Sequence, residues 1–158
     1  NIKRPPLEFP PEDWDSMFAV NVKGVMTACK HFGKVMTEKR AGRIINLSSV
    51  RGVRGTDGGN VGYGATKGAV DMVTRMLAAE WAQYNVTVNA IAPSIVMTEM
   101  AKRSIKPERI QRLIEKNPIK RLAIPEDVAA PCVFLASDAA SFITGQIIYV
   151  DGGLTAVA

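Results

Sequence analysis

Apolar residues recur along this chain with two different periods, and the alternation between them predicts its elements. Pro10-Pro11-Glu12-Asp13 has the form of a helix start, with proline at the first position and acids in the first turn. Trp14, Met17, Phe18, Val25, Met26, Cys29 and Phe32 then continue the apolar series, predicting one helix over 10–39 that Ala41-Gly42 ends. A strand-like run follows, Arg43-Ile44-Ile45-Asn46-Leu47-Ser48-Ser49, and after it a glycine-rich loop over 51–62. The pattern next predicts a second long helix over 63–83 and a nearly continuous apolar strand over 86–93. Further helices are predicted over 106–116 and 125–136, and a last strand over 146–150, before Asp151-Gly152-Gly153. The chain shows no internal repeat, low-complexity segment or linker.

Strands separated by helices require parallel crossovers, and strands that are apolar without alternation belong to a sheet covered on both faces. The predicted fold class is therefore α/β, a doubly wound parallel sheet. In such sheets ligands sit beyond the carboxyl ends of the strands. The first strand ends at Ser48-Ser49, the second at Pro93-Ser94-Ile95-Val96-Met97-Thr98, and Tyr63 begins the helix between them. The candidate chemistry thus converges on one sheet edge. Tyr63 and Lys67 stand one helical turn apart, fourteen and eighteen residues after Ser49. A phenol with a reference pKa near ~10 is a poor acid or base at neutral pH, and a nearby cation favours its phenolate.

Both long helices carry apolar residues around most of their circumference, in the second Ala65, Ala69, Val70, Met72, Val73, Met76, Leu77 and Trp81. A helix lying on a sheet needs one apolar stripe, so the wider distribution predicts a homo-oligomer, a dimer or tetramer, built through these helices.

Composition narrows the class. At 158 residues and 47% hydrophobic the chain can bury the core of one domain. No apolar run reaches the ~18 residues of a membrane span, and Asn1-Ile2-Lys3-Arg4-Pro5-Pro6 lacks the apolar core of a signal peptide. A soluble, cytoplasmic protein without membrane association is expected. Cys29 and Cys132 are far apart, without a Cys-x-x-Cys or a neighbouring histidine, and read as buried free thiols. His31 is the one histidine and reads as a solvated surface residue; no metal site is expected. The formal net charge is +5, with eight of the twenty basic residues inside 102–121. That stretch has no aromatic residue for base stacking and no helix-turn-helix spacing, so nucleic acid is not the expected partner. Two readings of it stay open: a solvated amphipathic helix, or a cap whose cations attract an anionic small molecule.

Five motifs in order resemble the short-chain dehydrogenase/reductases. Asn21-Val22-Lys23-Gly24 is similar to that family's helix motif, Ile45-Asn46-Leu47-Ser48-Ser49 to its serine strand, and Tyr63-Gly64-Ala65-Thr66-Lys67 to its active-site helix. Val88-Asn89-Ala90-Ile91-Ala92-Pro93 and the ending Thr144-Gly145-Gln146 with Val150-Asp151-Gly152-Gly153 match as well, and Pro118, Arg121 and Pro125-Glu126-Asp127-Val128 fit between. The resemblance implies that Tyr63 is the general acid or base towards a substrate alcohol or ketone. It implies that Lys67 lowers the pKa of Tyr63 and binds the nicotinamide ribose, that Ser49, rather than Ser48, hydrogen-bonds the reacting oxygen, and that Asn21 holds a water of the proton relay. Pro93, Ile95 and Thr98 would meet the cofactor, NAD or NADP. The sequence departs from the family at Ser94, where glycine is usual, and a side chain there disfavours a positive φ.

A larger departure is the missing glycine fingerprint for the pyrophosphate. Gly62-Tyr63-Gly64-Ala65-Thr66-Lys67-Gly68 has the wrong spacing for it. The family's sheet begins with a βαβαβ half of about 80 to 100 residues. Residues 1–158 are therefore expected to form a single partial domain, the catalytic, C-terminal portion of a Rossmann-like enzyme whose other half precedes residue 1. The expected function is hydride transfer between a nicotinamide cofactor and a secondary alcohol or ketone. Ile2-Lys3-Arg4-Pro5 and the basic stretch bear a fainter resemblance to sugar-acid dehydrogenases, which points to a sugar acid or polyol and an anionic substrate. The alternative is a cofactor-free relative, either a binding or oligomerisation module or a lyase-type enzyme.

Overall fold

The computed structural model describes residues 1–157. Helix α1 (Pro11–Phe18) runs through a π-helical turn, Ala19–Lys23, into α2 (Gly24–Lys39). Strand β1 (Gly42–Leu47), a 3₁₀ turn at Val50–Gly52, helix α3 (Val61–Trp81) and strand β2 (Val86–Pro93) follow. Helices α4 (Glu99–Ser104), α5 (Pro107–Lys116) and α6 (Pro125–Ala136) lead to β3 (Ile147–Val150). The three strands form one parallel sheet in the order β1-β2-β3. The doubly wound α/β class predicted from the pattern is the class observed.

The register explains the two cores. β1 pairs with β2 from Gly42↔Val86 to Leu47↔Ile91, and β2 with β3 from Ala90↔Ile147 to Pro93↔Val150. Because side chains alternate along a strand, Ile44, Val86 and Val88 face α2 and α3, where they pack with Cys29, Val73, Leu77 and Ala78. Ile45, Ile91 and Ile148 face the other side and pack with Val128, Cys132 and Leu135 of α6. Val86, Val88 and Ile91 are fully buried, each contributing about 1.5–3 kcal/mol relative to an exposed side chain.

Buried asparagines pin both faces. On one, Asn46 of β1 donates from Nδ2 to Thr74 Oγ1 of α3 at 2.9 Å and accepts from the Cys29 thiol at 3.5 Å. On the other, Asn89 of β2 donates to the Ile143 carbonyl at 2.8 Å and accepts from the Gln146 amide at 3.0 Å, which sets the entry into β3. Asp127 holds the segment before α6 by accepting from the Ile124 amide and pairing with Arg121.

Three expectations need correction. The single helix over 10–39 is broken at Ala19–Lys23, where the Gly24 amide reaches back five residues to the Ala19 carbonyl. Helix α4 was not predicted: it is six residues long and polar, and it forms because Thr98 caps it, accepting from the Ala101 amide at 3.2 Å. Cys132 is only half-buried, since α6 presents its other faces to solvent; Cys29 is buried and its burial pushes the thiol pKa up. His31 is exposed, as expected. No helix among the described residues is long and apolar enough to cross a membrane.

The turn after β1 lies unusually close to α3. A Cβ on Gly64 would meet the Arg51 carbonyl at 3.1 Å, and one on Gly68 would meet the Gly52 carbonyl at 3.3 Å. From the other side, a Cβ on Gly52 would meet Asp71 Oδ2 at 2.6 Å and the Lys67 carbonyl carbon at 3.0 Å. Asp71 is 4% exposed, and its Oδ1 has no hydrogen-bond partner among the described residues. Burial raises its pKa, while the Ser48 hydroxyl, Arg75 and Lys67 draw it back down.

Two predictions follow from this packing. Gly52→Ala is expected to destabilise the fold by about 1–3 kcal/mol, because backbone as well as a carboxylate stands in the way; a denaturant midpoint equal to the parent's would contradict the close packing. Asp71 carries a folded pKa above its unfolded value near ~3.9, so the folded chain binds the extra proton. Its contribution is fully present below that unfolded value and is lost as pH rises through the folded one. Stability of Asp71→Asn relative to the parent should accordingly increase between pH 4 and pH 7 in parallel denaturation series, and a constant difference would rule this carboxyl out as the source.

Candidate active site

A cavity of about 270 Å³ opens beyond the carboxyl ends of β1 and β2, and Ser49, Tyr63 and Ile95 all line it. Each arrives from a different element. β1 delivers Ser49, whose extended backbone begins the 3₁₀ turn and whose Oγ accepts from the Arg51 amide at 3.2 Å. The same Oγ donates to the Pro93 carbonyl at the end of β2, at 3.5 Å. Ser48 points elsewhere: it is 2% exposed, does not line the cavity, and donates to the Lys67 carbonyl at 3.4 Å.

Tyr63 stands in the first turn of α3 and Lys67 one turn later. The Lys67 ammonium lies 5.7 Å from the centre of the Tyr63 ring and donates to the Leu47 carbonyl at 2.8 Å. One of its three donors is therefore spent on the end of β1 and two remain. Burial lowers the Lys67 pKa, and the Asp71 carboxylate one turn further along α3 opposes that shift.

Asn21 occupies the π-helical turn and reaches α3 rather than the cavity. Its Nδ2 donates to Thr66 Oγ1 at 3.1 Å, and Thr66 donates to the Tyr63 carbonyl at 2.8 Å. The amide thereby braces the turn of α3 that carries Tyr63. π-turns recur where a helix must displace a functional group, and this one sets Asn21 against the tyrosine helix.

The 93–98 segment is anchored at both ends. Ser94 donates its amide to the Val150 carbonyl at 3.2 Å, and Met97 donates to the Ala123 carbonyl at 2.8 Å. Among the described residues the non-glycine ones with positive φ are Arg40 and Asn85, so Ser94 sits in ordinary backbone and its side chain imposes no left-handed strain. Thr98 lies outside the cavity at the start of α4; its Oγ1 accepts from Ala101 and its own proton stays available to an acceptor. Pro93 takes part through its carbonyl alone.

The pattern of the sequence did not single out Arg51 and Asn60, which share the cavity with Asn1, with Lys3 of the Ile2-Lys3-Arg4-Pro5 run and with Arg109 of the basic stretch. Arg109 and Leu113 are on one face of α5, so that helix covers the cavity instead of lying free in solvent. Arg51 was detectable only as the residue two past Ser49. Its pKa is lowered by burial and by Arg54, against the pull of Asp57 and Tyr63.

The sequence and the fold of this chain have counterparts among known proteins. A family model described as enoyl-(acyl carrier protein) reductase matches residues 1–155. Galactitol 2-dehydrogenase (L-tagatose-forming) of Cereibacter sphaeroides is 44% identical over 151 residues, which cover 94% of this chain and 59% of that enzyme. 5-Keto-D-gluconate 5-reductase of Escherichia coli K12 is 36% identical over 153 residues, covering 96% of this chain and 60% of the relative. Among solved structures, a gluconate 5-dehydrogenase from Burkholderia cenocepacia J2315 in complex with NADP and tartrate superposes with a TM-score of 0.93 at 32% identity, covering 99% of this chain and 62% of that one. The chain thus spans about three-fifths of the length of these relatives. Matched along almost its whole length by one family model and by relatives of this identity, the chain belongs to the short-chain dehydrogenase/reductase family.

Proposed function

We propose that residues 1–158 are the catalytic part of an oxidoreductase that interconverts a secondary alcohol and a ketone of the polyol or sugar-acid class with NAD or NADP. The observation that carries this reading is the meeting of Ser49 and Tyr63 in one small cavity with Lys67 one turn behind the tyrosine. Relatives named for galactitol and 5-keto-D-gluconate support the substrate class, and a neighbour in complex with NADP and tartrate supports the cofactor and a small polar ligand. The span of three-fifths of those relatives supports the reading of a partial domain. A nicotinamide-linked reaction of this kind suits a cytoplasmic enzyme.

The residues present fit a nicotinamide cofactor. Lys67 keeps two donors for ribose hydroxyls, Thr98 keeps a hydroxyl proton for a phosphate or amide oxygen, and Ser94 and Ile95 line the cavity. When bound, the cofactor supplies the carbon that accepts or donates the hydride. The protein's own part is the proton. In oxidation the Tyr63 phenolate takes the substrate hydroxyl proton as the carbon–hydrogen bond breaks, and in reduction the phenol returns it to the carbonyl oxygen. The Ser49 hydroxyl, held by the Arg51 amide and the Pro93 carbonyl, turns its proton to the reacting oxygen and steadies the charge that develops there. Lys67 stands behind the tyrosine ring and holds the cofactor ribose, and Asn21, which braces the same turn of α3, continues the relay through water.

We also propose a homodimer or homotetramer through α2 and α3. Phe32 and Val35 on α2, and Met72 and Met76 on α3, lie on outer faces that the sheet does not use; all are about half exposed or more, 49–65%.

Tyr63→Phe is expected to lower turnover by about 10²–10⁴-fold in the protein assayed with NAD and NADP, at unchanged stability; full turnover in that variant would refute the proton-transfer role. Light scattering should return a multiple of the protomer mass, and a single monomeric species would eliminate the proposed assembly.

A further inference from the structure

The cavity contains charge that proton transfer does not use. Lys3, Arg51 and Arg109 all line it, and no aspartate or glutamate does. Arg51 is the most constrained of the three. Its backbone amide is bonded to Ser49 Oγ, so its guanidinium is rooted two residues from the hydroxyl that meets the reacting oxygen. It is half-buried, and burial is the largest influence lowering its pKa. Among the described residues the cations paired with carboxylates are Arg4, Arg43, Lys102 and Arg121, and Arg51 is not one of them. The neighbouring Arg54 differs, since it donates to the Leu154 carbonyl.

A guanidinium removed from water without an acceptor is unfavourable, and its planar fork matches a carboxylate through two parallel hydrogen bonds. Arg109 approaches the same space from α5, on a separate element. The charged groups around Arg51 are Arg54, Asp57 and Tyr63; of these Asp57 is exposed and is not part of the cavity wall. A ligand that brings its own anion therefore completes this site, and one with hydroxyls alone leaves Arg51 unpaired.

We propose that Arg51, with Arg109 on the other side of the cavity, binds the carboxylate of a polyhydroxy acid and so selects an aldonate or ketoaldonate over a neutral polyol. This inference rests on the oxidoreductase reading above and specifies its substrate class.

The test compares D-gluconate with galactitol, in the protein with its cofactor. Calorimetric binding, which needs no turnover, is measured for the parent, Arg51→Gln, Arg51→Lys and Arg109→Gln, after thermal melts establish that each variant is folded. Arg51→Gln is expected to weaken gluconate binding by about 10- to 100-fold, and by at least ten-fold more than galactitol binding. Arg51→Lys should recover part of the loss, because it restores the charge without the fork. Arg109→Gln should show a smaller loss with the same preference. In turnover the change should fall on KM for the acid more than on kcat. Equal losses for acid and polyol, or gluconate binding no tighter than galactitol in the parent, would overturn the proposal. So would glycerol 3-phosphate binding through Arg51 more tightly than gluconate, since the anion recognised would then be a phosphate. If the parent turns over galactitol alone, the oxidoreductase reading stands and the carboxylate site is lost. If gluconate binds as expected and neither compound reacts, the site stands and that reading fails.

Discussion

The active site depends on how closely two pieces of backbone approach each other. The turn that carries Ser49 and the helix that carries Tyr63 and Lys67 meet through Gly52, Gly64 and Gly68, with separations that leave no room for a methyl group on Gly52 and little on the other two. Proton transfer needs its groups within hydrogen-bond reach, and side chains between the two backbones would push the serine away from the tyrosine. The glycines are therefore part of the geometry of the proposed reaction although they carry no functional group. Asp71 sits beneath this contact, buried and only partly satisfied, between Lys67 on its own helix and the Ser48 hydroxyl. Its charge opposes the effect of burial on the lysine, so the packing that brings the groups together also moderates their electrostatics.

Much of this was legible in the sequence because a parallel sheet imposes an order. Once 42–47 and 86–93 are strands and 61–81 is the helix between them, Ser49, Tyr63 and Pro93 have to lie at one edge. The π-turn was not legible. Ala19-Val20-Asn21-Val22-Lys23 preserves the apolar spacing of an ordinary helix, and one extra residue in the turn changes only which carbonyl the Gly24 amide finds. Helix α4 escaped because a six-residue polar segment has too few turns to show a period, and its capping threonine had been assigned to the cofactor. Arg51 escaped for a different reason: in a loop rich in glycine a lone arginine is normally solvated, and only the folded turn shows it half-buried at the cavity wall.

The basic stretch 102–121 shows how one feature can satisfy two readings. α5 is amphipathic, as a solvated helix is, and its cations Arg109, Arg112 and Lys116 are all exposed. Its position over the cavity nevertheless commits Arg109 and Leu113 to the site. Periodicity gives the faces of a helix but not what each face covers, and that information resides in long-range packing.

Rigidity and variability are distributed unequally around the site. The strand ends are fixed by the sheet register and by the buried amides Asn46 and Asn89, each of which ties a strand to the element packed on it. A proton-transfer group must stay within a few tenths of an ångström of its working position, and helices and strands provide that better than loops do. The cations that line the cavity come from the less regular parts: Lys3 from the N-terminal segment, Arg51 from the turn after β1, and Arg109 from the short helix after α4. In the proposed reading, a change at any of these positions alters which ligand is held without moving Ser49 or Tyr63 from the elements that position them. One framework of strands and helices can in this way carry different ligand preferences, because the proposed proton chemistry rests on the sheet and the proposed carboxylate contacts on the connections.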